Sequence, residues 1–289
     1  MTESNLLLEA FIQRWGEYRA KLKLCQVEFT EAAVHDLRVA TRRLLAVLEI
    51  IQNFDRHPRI KNLRQTLKSQ LDGFDNLRDI QVMLLNISGM TTDLPDLTPF
   101  KLYLEKCEIK LLRAAKKQVL AIKSSAFQRR MLNTQHGIAA LPVDKLPARL
   151  LQVADKTFET VQKRYILIDP VVPASIHAVR IAFKKFRYTV ECVHPILPDF
   201  PESQFERMRT YQTLMGNIQD AEVFLRNLSK FMVRHPEYDL DTAKSLSEQG
   251  FNKTISVYLD HQAELQTFWR ENPKAEFSWR TKSKAKEPV

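Results

Sequence analysis

Two ten-residue stretches of this chain place cationic side chains at spacings that gather them on one side of a helix. The first reads Val-His-Asp-Leu-Arg-Val-Ala-Thr-Arg-Arg from Val34, the second Ile-His-Ala-Val-Arg-Ile-Ala-Phe-Lys-Lys from Ile176. His35, Arg38 and Arg42 stand at i, i+3 and i+7, as do His177, Arg180 and Lys184, and Arg187 continues the second series. At about 100° per residue these positions share one stripe. Like charges on neighbouring turns repel by roughly a few tenths of a kcal/mol per pair. A helix shaped by stability alone would set acids among them, so the stripe points to an anionic ligand. Arginine offers a planar fork of donors matched to phosphate oxygens, lysine a point charge, and histidine one or two ring N–H donors. Turns of a helix lie about 5.4 Å apart, so one stripe can meet several units of an extended phosphate chain.

Other residues surround the stripes. Arg43 and Lys185 fall on another side of their helices, yet both are basic in both stretches. Glu49 and Glu191 continue the stripes, and Asp79 and Asp220 sit in a second pair of matched blocks. These acids leave open a purely structural reading, in which the cations only pair with neighbouring helices; positive charge would survive such pairing. Asp79 and Asp220 are expected to orient the basic residues rather than act as general bases, since their surroundings continue helices. Arg19, Lys117 and Arg164 fall beside apolar residues at helical spacing, and they are expected to be inward-facing cations. Such a residue must snorkel or meet a counter-anion.

The elements that carry these residues read as helices. Leu8, Phe11, Ile12, Trp15, Tyr18 and Leu22 recur at steps of three and four, which predicts a first amphipathic helix. Seven more are expected over about residues 31–53, 58–88, 99–122, 147–168, from 173, from 201, and over 242–270, with prolines at or near several starts. The stretch around Gly137 and Pro142 is less regular, and no run alternates as a strand would. In the second helix Val34, Leu37, Thr41, Leu44 and Leu48 form a core side, matched in the sixth by Ile176, Val179, Phe183, Phe186 and Val190.

The halves repeat. His177, Arg180, Lys184, Lys185 and Glu191 each follow their counterparts His35, Arg38, Arg42, Arg43 and Glu49 by 142 positions, and Asp220 follows Asp79 by 141. The expected architecture is all-α: two pseudo-symmetric four-helix bundles arising from an internal duplication. Residues 1–140 and 141–272 would be the two repeats of a single domain, and 273–289 a basic tail.

Composition agrees with this class. The 289 residues are 44% hydrophobic and include only 6 glycines, too few for the turns and phosphate loops of β and nucleotide-cradling folds. The formal net charge of +10 suits a polyanionic partner. Cys25, Cys107 and Cys192 are widely spaced, without a CxxC pair, and read as reduced thiols of a cytoplasmic protein. The N-terminus reads as neither a signal peptide nor a membrane span. Nothing in the pattern specifies an oligomeric state.

On HDLRVATRR at His35, HAVRIAFKKFRYTVE at His177 and the downstream LRD and IQD blocks, the chain resembles the CHAD family, the conserved-histidine α-helical domain. The resemblance covers nearly the whole chain and implies two four-helix bundles whose basic surfaces line a central groove or cavity. It also implies non-catalytic binding of inorganic polyphosphate, often with recruitment to polyphosphate-rich granules. On this basis the binding residues are His35, Arg38, Arg42, Arg43, His177, Arg180, Lys184, Lys185 and Arg187, with Arg19, Lys117 and Arg164 in support. No cofactor or metal is expected. Relatives are commonly fused to a triphosphate tunnel enzyme; with no ExExK signature present, the chain is expected to stand alone. Leu45 replaces Arg187 in the first half, so that stripe is the weaker.

Three other classes compete. A nucleic-acid binder would explain the charge, and weak nucleic-acid binding is expected alongside polyphosphate. Against it as the main role, most aromatic residues fall on core stripes rather than in stacking positions. A metal-dependent phosphohydrolase is disfavoured because neither repeated histidine belongs to an HxxxH or HExxH pair. A membrane-surface role is not expected, because the basic residues are spread over packed helices.

Overall fold

The computed structural model describes residues 5–90, 94–122 and 124–280, with the side chains of 124–126 excepted. Among these residues there are ten α-helices and no strand: α1 Leu6–Val27, α2 Glu31–Ile51, α3 Pro58–Asp72, α4 Asp75–Met90, α5 Thr98–Leu120, α6 Ser124–Ala139, α7 Leu146–Tyr165, α8 Pro173–Val193, α9 Ser203–Arg234 and α10 Asp241–His261. Local chemistry sets several starts. The Asn5 side chain accepts from the Leu8 amide and that of Thr30 from the Ala33 amide, each satisfying a donor that the first turn leaves open. Pro58 opens α3 behind a His57 cap, where its missing N–H costs nothing.

Two expectations change. The helix expected over 58–88 is broken at Gly73 and Phe74. A Cβ at Gly73 would overlap the Gln118 carboxamide, which donates to the Gln70 carbonyl at 2.9 Å. The bare glycine lets α5 approach, and Phe74 turns into the core. Second, the stretch around Gly137 is a helix, α6, with Phe127, Met131, Thr134 and Ile138 buried at helical spacing. Gly137 lies close under Arg59, whose guanidinium is 2.6 Å from where a Cβ would stand.

The chain packs as two compact units. The first comprises Met1–Phe74, Ala114–Val161 and Lys184–Phe200; the second comprises Asp75–Arg113, Gln162–Phe183 and Pro201–Val289. Each draws on both sides of residue 140, so the sequence repeat and the packing units partition the chain differently. In the first unit α1 lies against α2 and α6, and α3 against α2 and α6. Phe11, Tyr18, Leu44, Leu48, Leu63 and Leu67 are buried, and the Phe158 and Phe186 rings meet at 4.8 Å. The second unit packs α9 against α10 and α4, around Met83, Phe100, Phe224 and Phe231. In it Phe183 meets Tyr211 at 5.0 Å and Phe268 at 5.3 Å.

The core sides expected of α2 and α8 are buried as read, from Val34 to Leu48 and from Ile176 to Val190. Burying each large apolar side chain contributes about 1.5–3 kcal/mol, enough to fix how each helix is rotated and hence where its basic stripe lies. Of the segment 273–289, residues 281–289 lie outside the described residues. Before them Phe277 is buried, stacked on Trp279 at 4.5 Å and set edge-on to Trp269 at 5.1 Å. Among the described residues no helix is long and apolar enough to cross a membrane.

Candidate functional site

In the first unit Arg14, Arg43, Arg64, Lys185 and Arg187 form two groups around two glutamates. Beside the buried face of α2, His35 is exposed, Arg42 and Arg43 are half-buried, and Arg38 is only 5% exposed. The second half of α8 brings Lys184, Lys185 and Arg187. Lys185 Nζ lies 2.9 Å from Glu49 Oε2, and Arg64 Nη2 lies 2.8 Å from Glu49 Oε1. Arg64 also donates to the Gln52 side chain.

Glu191 is held differently. Arg43 Nε approaches Glu191 Oε2 at 3.5 Å, Arg14 Nη2 the same oxygen at 3.9 Å, and Arg187 Nη1 approaches Oε1 at 3.8 Å. Arg14 also pairs with Glu17 at 3.0 Å, and the Arg187 guanidinium lies over the Tyr188 ring at 4.8 Å. The pairing is reciprocal. Arg43 of α2 reaches Glu191 of α8, while Lys185, its counterpart by sequence, reaches Glu49, the counterpart of Glu191. Arg43 and Lys185 are thus engaged between the two helices rather than simply solvated.

In the second unit the first half of α8 carries His177 and Arg180, both half-buried. Arg180 is charge-coupled to Asp220 of α9, as is Arg78 of α4. Gly216 of α9 lies against Arg180: a Cβ there would sit 3.8 Å from its Nε, an ordinary packing contact. Burial raises the Asp220 carboxyl above its ordinary range, and the two arginines oppose that shift. This fits an orienting partner for arginine. His177 is pushed below the usual imidazole range by burial and then by Arg180, against the opposing pull of Glu222 and a hydrogen bond with Gln219. Its Nδ1 is buried without a hydrogen-bond partner.

The three supporting cations are not inward-facing. Arg19, Lys117 and Arg164 are all exposed. Arg19 lies over the Trp15 ring at 5.5 Å and flanks Ile12, itself 45% exposed, so that edge of α1 faces water. Along α5 the buried side changes from Tyr103, Cys107 and Leu111, which pack in the second unit, to Ala115 and Val119. That change leaves Lys117 outside. Arg164 follows the last buried residue of α7, Val161. Arg14 and Arg64 were not legible as site residues, since neither belongs to the repeat. The one signal for Arg14 is its place on α1 between Phe11 and Tyr18, at the edge of the buried face.

Fork-shaped donors set around carboxylates can exchange those carboxylates for phosphoryl oxygens without any covalent step. Among the described residues no group of three or more His, Cys, Asp or Glu is placed to hold a metal ion. In sequence, the family model described as the CHAD domain matches residues 7–229. The fold is similar to the crystal structure of the CHAD domain from the plant Ricinus communis, with a TM-score of 0.64, 18% identity, and coverage of 91% of this chain and 89% of that one. No curated protein sequence matches the chain.

Proposed function

The chain belongs to the CHAD-domain family, and from that premise we propose that it binds inorganic polyphosphate without catalysis, through the basic faces of α2 and α8. The family is associated in general with polyphosphate binding. The observation that carries the reading is the cation surplus in the first unit. Arg14, Arg43, Arg64, Lys185 and Arg187 are served by Glu17, Glu49 and Glu191, and Arg42 stands half-exposed alongside. Where the surplus is partly buried, as at Arg14, Arg64 and Arg187, it is expensive unless an anion joins it. His177 and Arg180 offer the related face of the second unit. Arg19, Lys117 and Arg164, being exposed, serve only to raise the local potential.

A polymer of phosphates without bases suits the surface better than nucleic acid. Among the described residues no Phe, Tyr or Trp ring is more exposed than that of Tyr238, at 40%, whereas single-stranded nucleic acid is held largely by stacking on exposed rings. Nucleic acid is therefore the weaker ligand. Catalysis is absent from the proposal because Glu49 and Glu191 are engaged by cations rather than set toward an open position.

The test is a calorimetric titration with polyphosphate of defined length, comparing wild type with Arg42→Ala/Lys184→Ala. Both residues are half-exposed, so the core survives their loss; Arg38 is too buried to serve. Each charge-assisted hydrogen bond contributes about 1.5–3 kcal/mol, so the double variant is expected to bind on the order of 100-fold more weakly with an unchanged circular dichroism spectrum. Binding equal to wild type, or a wild type that does not bind, overturns the reading. Shortening of the polymer by the protein with Mg²⁺ would overturn the non-catalytic part alone.

A further inference from the structure

Glu49 and Glu191 are counterparts in the repeat, yet they sit in opposite situations. Glu49 receives Arg64 at 2.8 Å and Lys185 at 2.9 Å, one on each oxygen. Those are ordinary charge-assisted hydrogen-bond lengths, so each oxygen of this carboxylate holds one cation and the residue acts as a fastener between helices. Glu191 faces three guanidinium groups from three helices, those of Arg14, Arg43 and Arg187, and all three stay at 3.5–3.9 Å. None is at the length of a good hydrogen bond.

The donor capacity around Glu191 is also unused. The Nε atoms of Arg43 and Arg187 are buried and make no hydrogen bond. Side-chain exposure is only 16% for Arg14, 13% for Arg187 and 14% for Glu191, so water reaches the cluster chiefly past Arg43, which is 37% exposed. A carboxylate has two oxygens in one plane. A phosphoryl group presents its oxygens tetrahedrally and carries more charge, and it can serve three forks that converge from α1, α2 and α8.

We propose that Arg14, Arg43 and Arg187 form a discrete site for one phosphoryl unit, and that Glu191 is the stand-in anion that the ligand competes with and displaces. The proposal rests on the polyphosphate reading and deepens it. Arg14, outside both repeats, becomes a binding residue. Glu191 sets the affinity: it keeps the arginines gathered, and its retreat is the cost of loading the site.

The test uses the full chain and polyphosphate of defined length at one salt concentration. Glu191→Gln keeps the side-chain shape and removes the competing charge, and it is expected to bind on the order of 10-fold more tightly than wild type. Glu271→Gln makes the same change in net charge at an exposed position, and its affinity is expected to stay within about twofold. Arg14→Gln is expected to bind about 10-fold more weakly; this arm decides the matter if Glu191→Gln does not fold. Weaker or unchanged binding by Glu191→Gln, equal tightening by both glutamate variants, or an Arg14→Gln variant that binds like wild type overturns the site. A wild type that binds no polyphosphate overturns the functional reading and the site with it. A wild type that binds while Glu191→Gln gains nothing overturns the site alone.

Discussion

His177 keeps a ring nitrogen, Nδ1, buried without a partner, and burial together with Arg180 lowers its proton affinity on folding. Glu222 and Gln219 oppose that shift but do not reverse it. The folded chain therefore binds fewer protons at this residue than the unfolded chain between the two pKa values. The contribution to stability is complete above the ordinary imidazole value of about 6.5 and is lost as pH falls through it toward the lower, folded value. Melting temperatures measured from about pH 8 to pH 5 should fall less steeply in His177→Gln than in wild type; parallel curves would remove His177 as the cause. The repeat made His177 and its companions legible as a stripe. It did not reveal that Arg43 and Lys185 cross over to Glu191 and Glu49, because that exchange depends on which parts of α2 and α8 lie side by side. A helical wheel assigns each side chain a direction but not the neighbour it meets.

Helix α2 carries much of the basic stripe, and its start depends on one hydroxyl. Thr30 Oγ1 accepts from the Ala33 amide at 3.1 Å, so Thr30→Ala should cost about 1 kcal/mol, within a range of roughly 0.5–2. Urea unfolding checks this: the midpoint should drop while the slope stays the same, and polyphosphate affinity should hold, because no binding side chain changes. Caps of this kind could be read from local sequence, as could the proline starts and the buried sides of α2 and α8. The break between α3 and α4 could not, since Gly73 keeps helical dihedrals and its close neighbour, Gln118, is distant in sequence. Helix α6 was hidden for a different reason. Gly137 and the nearby Pro142 interrupt a pattern whose buried members, Phe127, Met131, Thr134 and Ile138, fall at helical steps of four and three but include a polar residue. A second test at this scale concerns the aromatic pair within the first unit. Phe186→Ala removes a ring that is fully buried against Phe158, and the expected loss is about 3–5 kcal/mol. A smaller loss would mean that the neighbouring side chains collapse into the space.

Across the whole molecule, composition made the helical class legible, while the two packing units were not. Each unit combines segments far apart in sequence, and periodicity says nothing of which distant segments associate. The net charge of +10 acts at this scale too, since it draws any polyanion and weakens with salt. Charge alone would therefore make polyphosphate and single-stranded DNA similar ligands at equal phosphate concentration. The scarcity of well-exposed Phe, Tyr and Trp rings among the described residues limits the stacking that DNA would add, while the converging arginine forks favour closely spaced phosphoryl oxygens. In competition at fixed salt, polyphosphate should displace labelled single-stranded DNA at a lower phosphate concentration than unlabelled DNA does. Raising salt should weaken both ligands, and for polyphosphate Arg42→Ala/Lys184→Ala should flatten the plot of log affinity against log salt by about one unit per lost contact. Equal potency of the two polymers, with equal salt slopes in wild type and variant, would reduce the stripes to general surface charge.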